Sequence, residues 1–189
     1  MGTDLHFQCQ CGAVEGVVRN AGPRAGVRAI CYCGDCQAFA FFLGRENGML
    51  DAHGGTDIYQ TAASRLEIRE GLSHIARVVV SPSGLNRWYA ACCNTALANT
   101  PANRALPFVG TFFANYDRAR RDAVIGPVAT AVFAKEAWGA PAQSALPMPI
   151  ILADMLRRAL GEWVNGRWRR HALYAAADAG QVPAPTVLS

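Results

Sequence analysis

The chain has 189 residues, 51% of them hydrophobic and 17% charged, which excludes an intrinsically disordered protein and suits one domain with a core, with room for an appendage. The formal net charge is +4, carried almost wholly by arginine because Lys135 is the sole lysine. So mild a surplus argues against nucleic acid as the main partner.

The N-terminal stretch Met1-Gly2-Thr3-Asp4-Leu5-His6-Phe7 carries neither the basic nor the apolar segment of a secretory signal. His6 also stands where a myristoylation motif wants Ser or Thr. The longest apolar runs, 38–43 and 147–153, fall short of the roughly 20 residues that span a bilayer, so no membrane partner is expected. The expectation is a soluble, cytoplasmic protein.

Short β-branched or alternating runs follow at 3–8, 13–19, 27–32, 57–60, 65–69, 75–80 and 87–91. Turn signals such as Asn47-Gly48, His53-Gly54-Gly55 and Pro82-Ser83-Gly84 separate them. Several short strands with no long helix between them predict a β-rich, antiparallel module over residues 1–100. Residues 101–189 read as a partly helical extension. Two prolines make 99–107 a loop, and 118–137 is Ala- and Arg-rich, with Gly126-Pro127 as its break. The clearest helix spans about 149–164: Ile151, Met155, Leu156, Ala159, Leu160 and Trp163 recur at helical spacing, with Asp154, Arg157, Arg158 and Glu162 opposite. Its expected role is to bury that apolar face in the core; a contact in a homo-oligomer is the alternative. A further helix is expected over 167–177, and the Pro-rich tail after Gly180 should be loose. The fold class expected is mainly β with C-terminal helices.

Seven cysteines stand in clusters: Cys9 and Cys11; Cys31, Cys33 and Cys36; Cys92 and Cys93. In a reducing compartment such clusters are more often metal ligands or catalytic thiols than disulfides. Zinc takes about four soft ligands in a tetrahedron, and two cysteines close together on a turn can aim at one ion while a distant pair closes the site. All seven cysteines are therefore candidate Zn2+ ligands. Three thiolates at Cys31, Cys33 and Cys36 would leave one position open, the pattern of a catalytic site that can accept water or a small thiol. The competing reading closes that site with a fourth ligand such as His53. Phe39, Phe41, Phe42 and Tyr59 are candidates to wall a pocket, or else to fill the core.

The order Cys-x-Cys-Gly-Ala-Val at 9–14, Cys-x-Cys-x-x-Cys-Gln at 31–37, the stretch 55–59, and an aromatic followed by Cys-x-Thr-x-Leu within 88–97 resembles the glutathione-dependent formaldehyde-activating enzyme family, which includes centromere protein V. The resemblance covers roughly residues 3–100, and its middle motif is the most specific part. It implies a zinc-binding β module of the Mss4-like type. It implies a structural zinc held by the first cysteine pair and a late pair, and a labile zinc at the three-cysteine motif. The activity implied is that of a carbon–sulfur lyase, joining glutathione to formaldehyde or the reverse, so the implied partner is a glutathione-like small-molecule thiol or its adduct. Carried over by motif, Cys31, Cys33 and Cys36 match the catalytic site, and Cys9, Cys11 and Cys93 the structural one.

The late motif departs from the family pattern. Where the family has aromatic-Cys-x-x-Cys-Gly, this chain has Tyr89-Ala90-Ala91-Cys92-Cys93-Asn94, so that with Cys93 in the second cysteine position Ala90 falls in the first. Successive side chains of an extended chain point to opposite faces, which leaves open whether Cys92, Cys93 or both reach a metal. The function classes that follow are a zinc-dependent carbon–sulfur lyase and a non-catalytic zinc module for protein interaction. A redox sensor built on Cys92 and Cys93 ranks below both, because a disulfide between neighbours is strained.

Overall fold

The computed structural model describes residues 2–82, 84–112, 116, 118–141 and 144–188, with 118 and 119 described in backbone only. The protein is mainly β with some helices, arranged around two sheets. Strands β1 (Thr3–Gln8), β2 (Glu15–Ala21) and β5 (Leu66–Glu70) form a three-stranded antiparallel sheet in the order β1-β2-β5. The larger sheet has the order β10-β3-β4-β9-β8-β7-β6-β11. Its members are β3 (Gly26–Cys31), β4 (Thr56–Ala62), β6 (Ile75–Val79), β7 (Asn86–Ala90), β8 (Thr95–Thr100), β9 (Phe108–Phe112), β10 (Thr130–Val132) and β11 (Thr186–Val187). Only the two outermost pairings, β10 with β3 and β11 with β6, are parallel.

The short runs of the first half fold as strands; β1 buries Leu5 and Phe7 on one face, whereas β7 is buried on both. Ser83, in the expected turn after β6, lies outside the described residues. Several elements were not legible. Residues 34–42, including part of an apolar run, form helix α1 (Gly34–Phe42), which buries Phe39 and Ala40 while leaving Phe41 and Phe42 exposed. Strand β8 takes in Asn99 and Thr100, placed in a loop by the prolines that follow. Strand β9 then inserts between β4 and β8, so the large sheet draws on both halves of the chain. The tail is not wholly loose: β11 pairs with Val78 and Val79.

Among the described helices are α2 (Glu46–Met49), α3 (Arg118–Ile125), α4 (Met148–Val164) and α5 (Ala172–Asp178). Helix α3 ends before Gly126, whose φ of 76° suits a residue without a Cβ. Helix α4 corrects the expectation of a core-facing stripe. Ile151 and Glu162 are buried, but Leu156 is 67% and Leu160 57% exposed. Only part of its apolar surface is buried. Helix α5 docks firmly: Tyr174 accepts a 2.8 Å hydrogen bond from Asn86 and donates to the Pro101 carbonyl, packing edge-on to Trp88. Among the described residues, no helix is long and apolar enough to cross a membrane.

Two candidate metal centres and a cavity

Cys9 and Cys11 lie on the turn that leaves β1. Gly12 N donates to the Cys9 carbonyl and Cys9 N to the Val14 carbonyl, both at 2.9 Å, and Gly12 takes a φ of 80° that lets the chain double back. Cys92 and Cys93 lie on the turn between β7 and β8, where Asn94 has a φ of 52°. This turn resolves what the motif left open. Cys92 and Cys93 are not on extended chain, so the opposite-face rule does not separate them. Cys9, Cys11, Cys92 and Cys93 together bring four sulfurs within 4.8 Å of one another. Ala90, which the motif placed in a cysteine position, ends β7 fully buried.

The sulfur separations fit a tetrahedral ion. Zn–S bonds of 2.3 Å imply edges of about 3.8 Å. Here Cys9 to Cys11 is 3.5 Å, Cys9 to Cys92 3.9 Å, Cys11 to Cys92 3.3 Å and Cys92 to Cys93 3.8 Å. Outer contacts steady the sulfurs in the way metal-ligand partners do. Val14 N donates to Cys9 Sγ at 3.2 Å, and Thr95 Oγ1 lies 3.0 Å from Cys93 Sγ. Burial works against ionisation of Cys93, but its contacts with Thr95, Cys11 and Cys9 outweigh it and bring the thiol down to about 6. Arg45 donates to the Cys93 carbonyl at 2.5 Å, placing a cation beside the cluster.

The second cluster is deeper. Cys31 closes β3, Cys33 precedes the first turn of α1, and Cys36 lies in that turn. Cys36 N and Gln37 N donate to the Cys33 carbonyl at 2.9 and 3.2 Å. The three sulfurs also lie within 4.8 Å of one another, with Cys31 at 3.4 Å from Cys33 and 3.5 Å from Cys36. Cys33 is held far below the usual thiol range by hydrogen bonds from Cys31 and Cys36, while Cys31 is pushed far up by the same contacts. The start of a helix favours that negative charge. Among the described residues, no fourth His, Cys, Asp or Glu joins the group. The ring of His53 lies beside Gly139 instead.

Sequence reasoning did not single out Arg87. Its side chain is buried on β7, only 1% exposed, and donates to Cys36 Sγ at 3.2 Å. A divalent ion among three thiolates carries a net charge of about −1, and Arg87 is the buried cation that offsets it. No local pattern distinguishes this arginine from the others; only the pairing of β7 with β6 and β8 brings it here. Gln37, the last residue of the middle motif, also has a structural role. Its amide donates to the Tyr32 and Glu136 carbonyls at 2.8 and 3.1 Å and accepts from Trp138 Nε1 at 2.9 Å. It ties the cysteine loop to the segment after β10, and Glu136 Oε2 accepts from Gly34 N at 2.7 Å.

The three-thiol cluster opens onto a cavity of about 600 Å³. Strand alternation explains the placement: Val27, Ala29 and Cys31 share one face of β3, beside Ile58 and Gln60 of β4 and Thr130 and Val132 of β10. Ile151 and Met155 of α4 line it as well. The aromatics considered as walls are elsewhere. Phe39 packs against Phe112 in the core, Tyr59 is buried on Gly22, and Phe41 and Phe42 face solvent. Phe108 and Phe133 line the cavity in their stead.

The chain matches a described family over residues 1–178, a span that includes both cysteine clusters and α4. It belongs to DUF6151, a family of unknown function. No curated protein matches the chain. Among solved structures it is similar to the crystal structure of a Rhodobacter sphaeroides protein, at 18% identity and a TM-score of 0.46, over 68% of this chain and 100% of that one.

Proposed function

We propose that the protein is a cytoplasmic zinc enzyme of the formaldehyde-activating type, with an Mss4-like β module, that makes or breaks the carbon–sulfur bond of a thiol–aldehyde adduct of glutathione or another thiol. The observation that carries this reading is the cluster of Cys31, Cys33 and Cys36, which has no fourth side-chain ligand among the described residues and opens onto a cavity large enough for a small molecule. The cluster of Cys9, Cys11, Cys92 and Cys93 has the closed four-thiol set of a structural zinc site. A zinc ion bound at the three-thiol site lowers the pKa of a coordinated thiol and favours its thiolate near neutral pH.

The chain's own residues supply the rest. Arg87 offsets the negative charge of the sulfurs. The apolar walls exclude water from an adduct that would otherwise exchange freely. Asp35 and Glu136 line the same cavity, and one of these carboxylates takes the hydroxyl proton of the adduct as its carbon–sulfur bond breaks, leaving thiolate and aldehyde. Asp35 is oriented by Ser81, whose hydroxyl donates to it at 3.1 Å. Cytoplasmic residence rests on the free thiol clusters, which persist in a reducing compartment.

The test is adduct exchange, followed by NMR, between formaldehyde and thiols in the zinc-loaded protein. Cys33→Ala should abolish the exchange while the circular dichroism spectrum stays that of the wild type. A second reading, a non-catalytic zinc module that binds a partner or a second copy of itself, is favoured by the exposed apolar stripe of α4. Absence of exchange in zinc-loaded wild-type protein would leave that reading in possession.

A further inference from the structure

We propose that the cavity beside Cys31, Cys33 and Cys36 selects thiols, or thiol adducts, that carry an apolar chain, and discriminates against glutathione. The inference rests on the open three-thiol site proposed above and adds the class of molecule it accepts. Its first support is the lining. Away from the sulfurs, the apolar part of the wall includes Val27, Ile58, Phe108, Val132, Ile151 and Met155, from four strands and a helix. An alkyl or aryl chain buries its surface there and gains about 0.8 kcal/mol per methylene, or roughly fourfold in affinity.

The second support is charge. Glutathione carries two carboxylates, and a site that recognises it needs cationic or multiple N–H partners for them. Among the described lining residues the charged groups are Arg87, Asp35 and Glu136. Arg87 donates one N–H to Cys36 at 3.2 Å and lies 3.9 Å from Asp35, so its charge is already shared between the sulfurs and a carboxylate. The remaining charges are both negative, and they line the space a tripeptide carboxylate would enter. Gln60, Ser81, Asn99 and Thr130 offer only neutral groups, so a carboxylate buried there keeps its charge uncompensated, whereas an uncharged chain meets no such barrier. Helix α4 adds Ile151 and Met155 to Val27 and Ile58, so residues beyond 100, outside the resemblance, complete an apolar wall that the first half begins.

The experiment is isothermal titration of zinc-loaded protein with 2-mercaptoethanol, butanethiol, hexanethiol and glutathione, repeated on Met155→Glu. The expected result is an affinity that climbs by about fourfold per methylene through the alkyl series, with glutathione weaker than hexanethiol. In Met155→Glu, hexanethiol should lose about tenfold, several times more than 2-mercaptoethanol loses. A flat alkyl series, or glutathione binding as tightly as hexanethiol, would overturn the selectivity while leaving the thiol site standing. If no thiol binds, or binding survives in Cys33→Ala, the open-site reading itself falls and takes the selectivity with it. Because the alkyl series is read on the wild-type protein, the inference stays falsifiable even if the variant does not fold.

Discussion

Arg87 is the side chain on which the two candidate metal centres differ most. The four-thiol cluster includes exposed Cys11 and Cys92, so solvent can screen its charge. The three-thiol cluster includes buried Cys31 and Cys36, and a neighbouring guanidinium takes the place of solvent. Removing that cation leaves sulfur charge uncompensated in a low-dielectric setting. Arg87→Gln is therefore expected to weaken zinc at Cys31, Cys33 and Cys36 by about 10- to 100-fold while the other site is unaffected. Competition with a coloured chelator, followed separately in a Cys11→Ser background, measures it; equal weakening at both sites would contradict this role. The seven cysteines were legible as candidate ligands because their spacing is local. Arg87 was not, because its proximity to Cys36 depends on β7 meeting the start of α1, 51 residues earlier in the chain.

At the scale of elements, α4 completes the apolar wall of the cavity the thiols face. Its period was plain in the sequence; which of its apolar residues would be buried was not, since a helical repeat states only that a stripe exists. The structure sets Ile151 against the sheet, 5% exposed, and leaves Leu156 67% exposed. Ile151→Ala should thus cost about 2 kcal/mol or more in urea denaturation, and Leu156→Gln should change stability by less than about 0.5 kcal/mol. A Leu156→Gln variant that dissociates in sedimentation would instead reveal that copies of the chain cover the stripe. Helix α1 illustrates the converse. Its residues are apolar on several sides, so they gave no helical period, and the helix rests on Cys33 accepting the first turn's N–H groups and on Phe39 reaching Phe112.

For the molecule as a whole, the end of the chain is bound to the sheet through α5. His171, next to that helix, is buried against Tyr174 with ring centroids 4.5 Å apart. Burial, helped by the nearby Arg104, holds its pKa down to about 4. Arg104 is paired with Asp178 at 2.5 Å, so the surroundings offer the imidazolium a cation already engaged and no free carboxylate from that pair. An unfolded histidine titrates near 6.5, so between about 6.5 and 4 the unfolded chain binds more protons than the folded one. Stability is then complete above pH 6.5 and falls as pH drops toward 4, by an amount on the order of 3 kcal/mol. Denaturation of wild type against His171→Gln across that range should show the slope flatten in the variant. Taking the difference between the two proteins cancels any acid-driven loss of metal from the thiols.

The sequence by itself determined the strands of the first half and the grouping of the cysteines, because alternation and short spacing are local and need no partner to be recognised. It also determined that α4 exists. The tertiary structure decided that Cys92 and Cys93 both reach the first cluster, that β9 enters the sheet from beyond residue 100, and that an arginine and an apolar cavity flank the second cluster. Those depend on a turn with Asn94 at positive φ and on strand pairings over long separations. Such pairings are fixed by which faces can be buried together, and that is a property of the folded chain and not of any one segment.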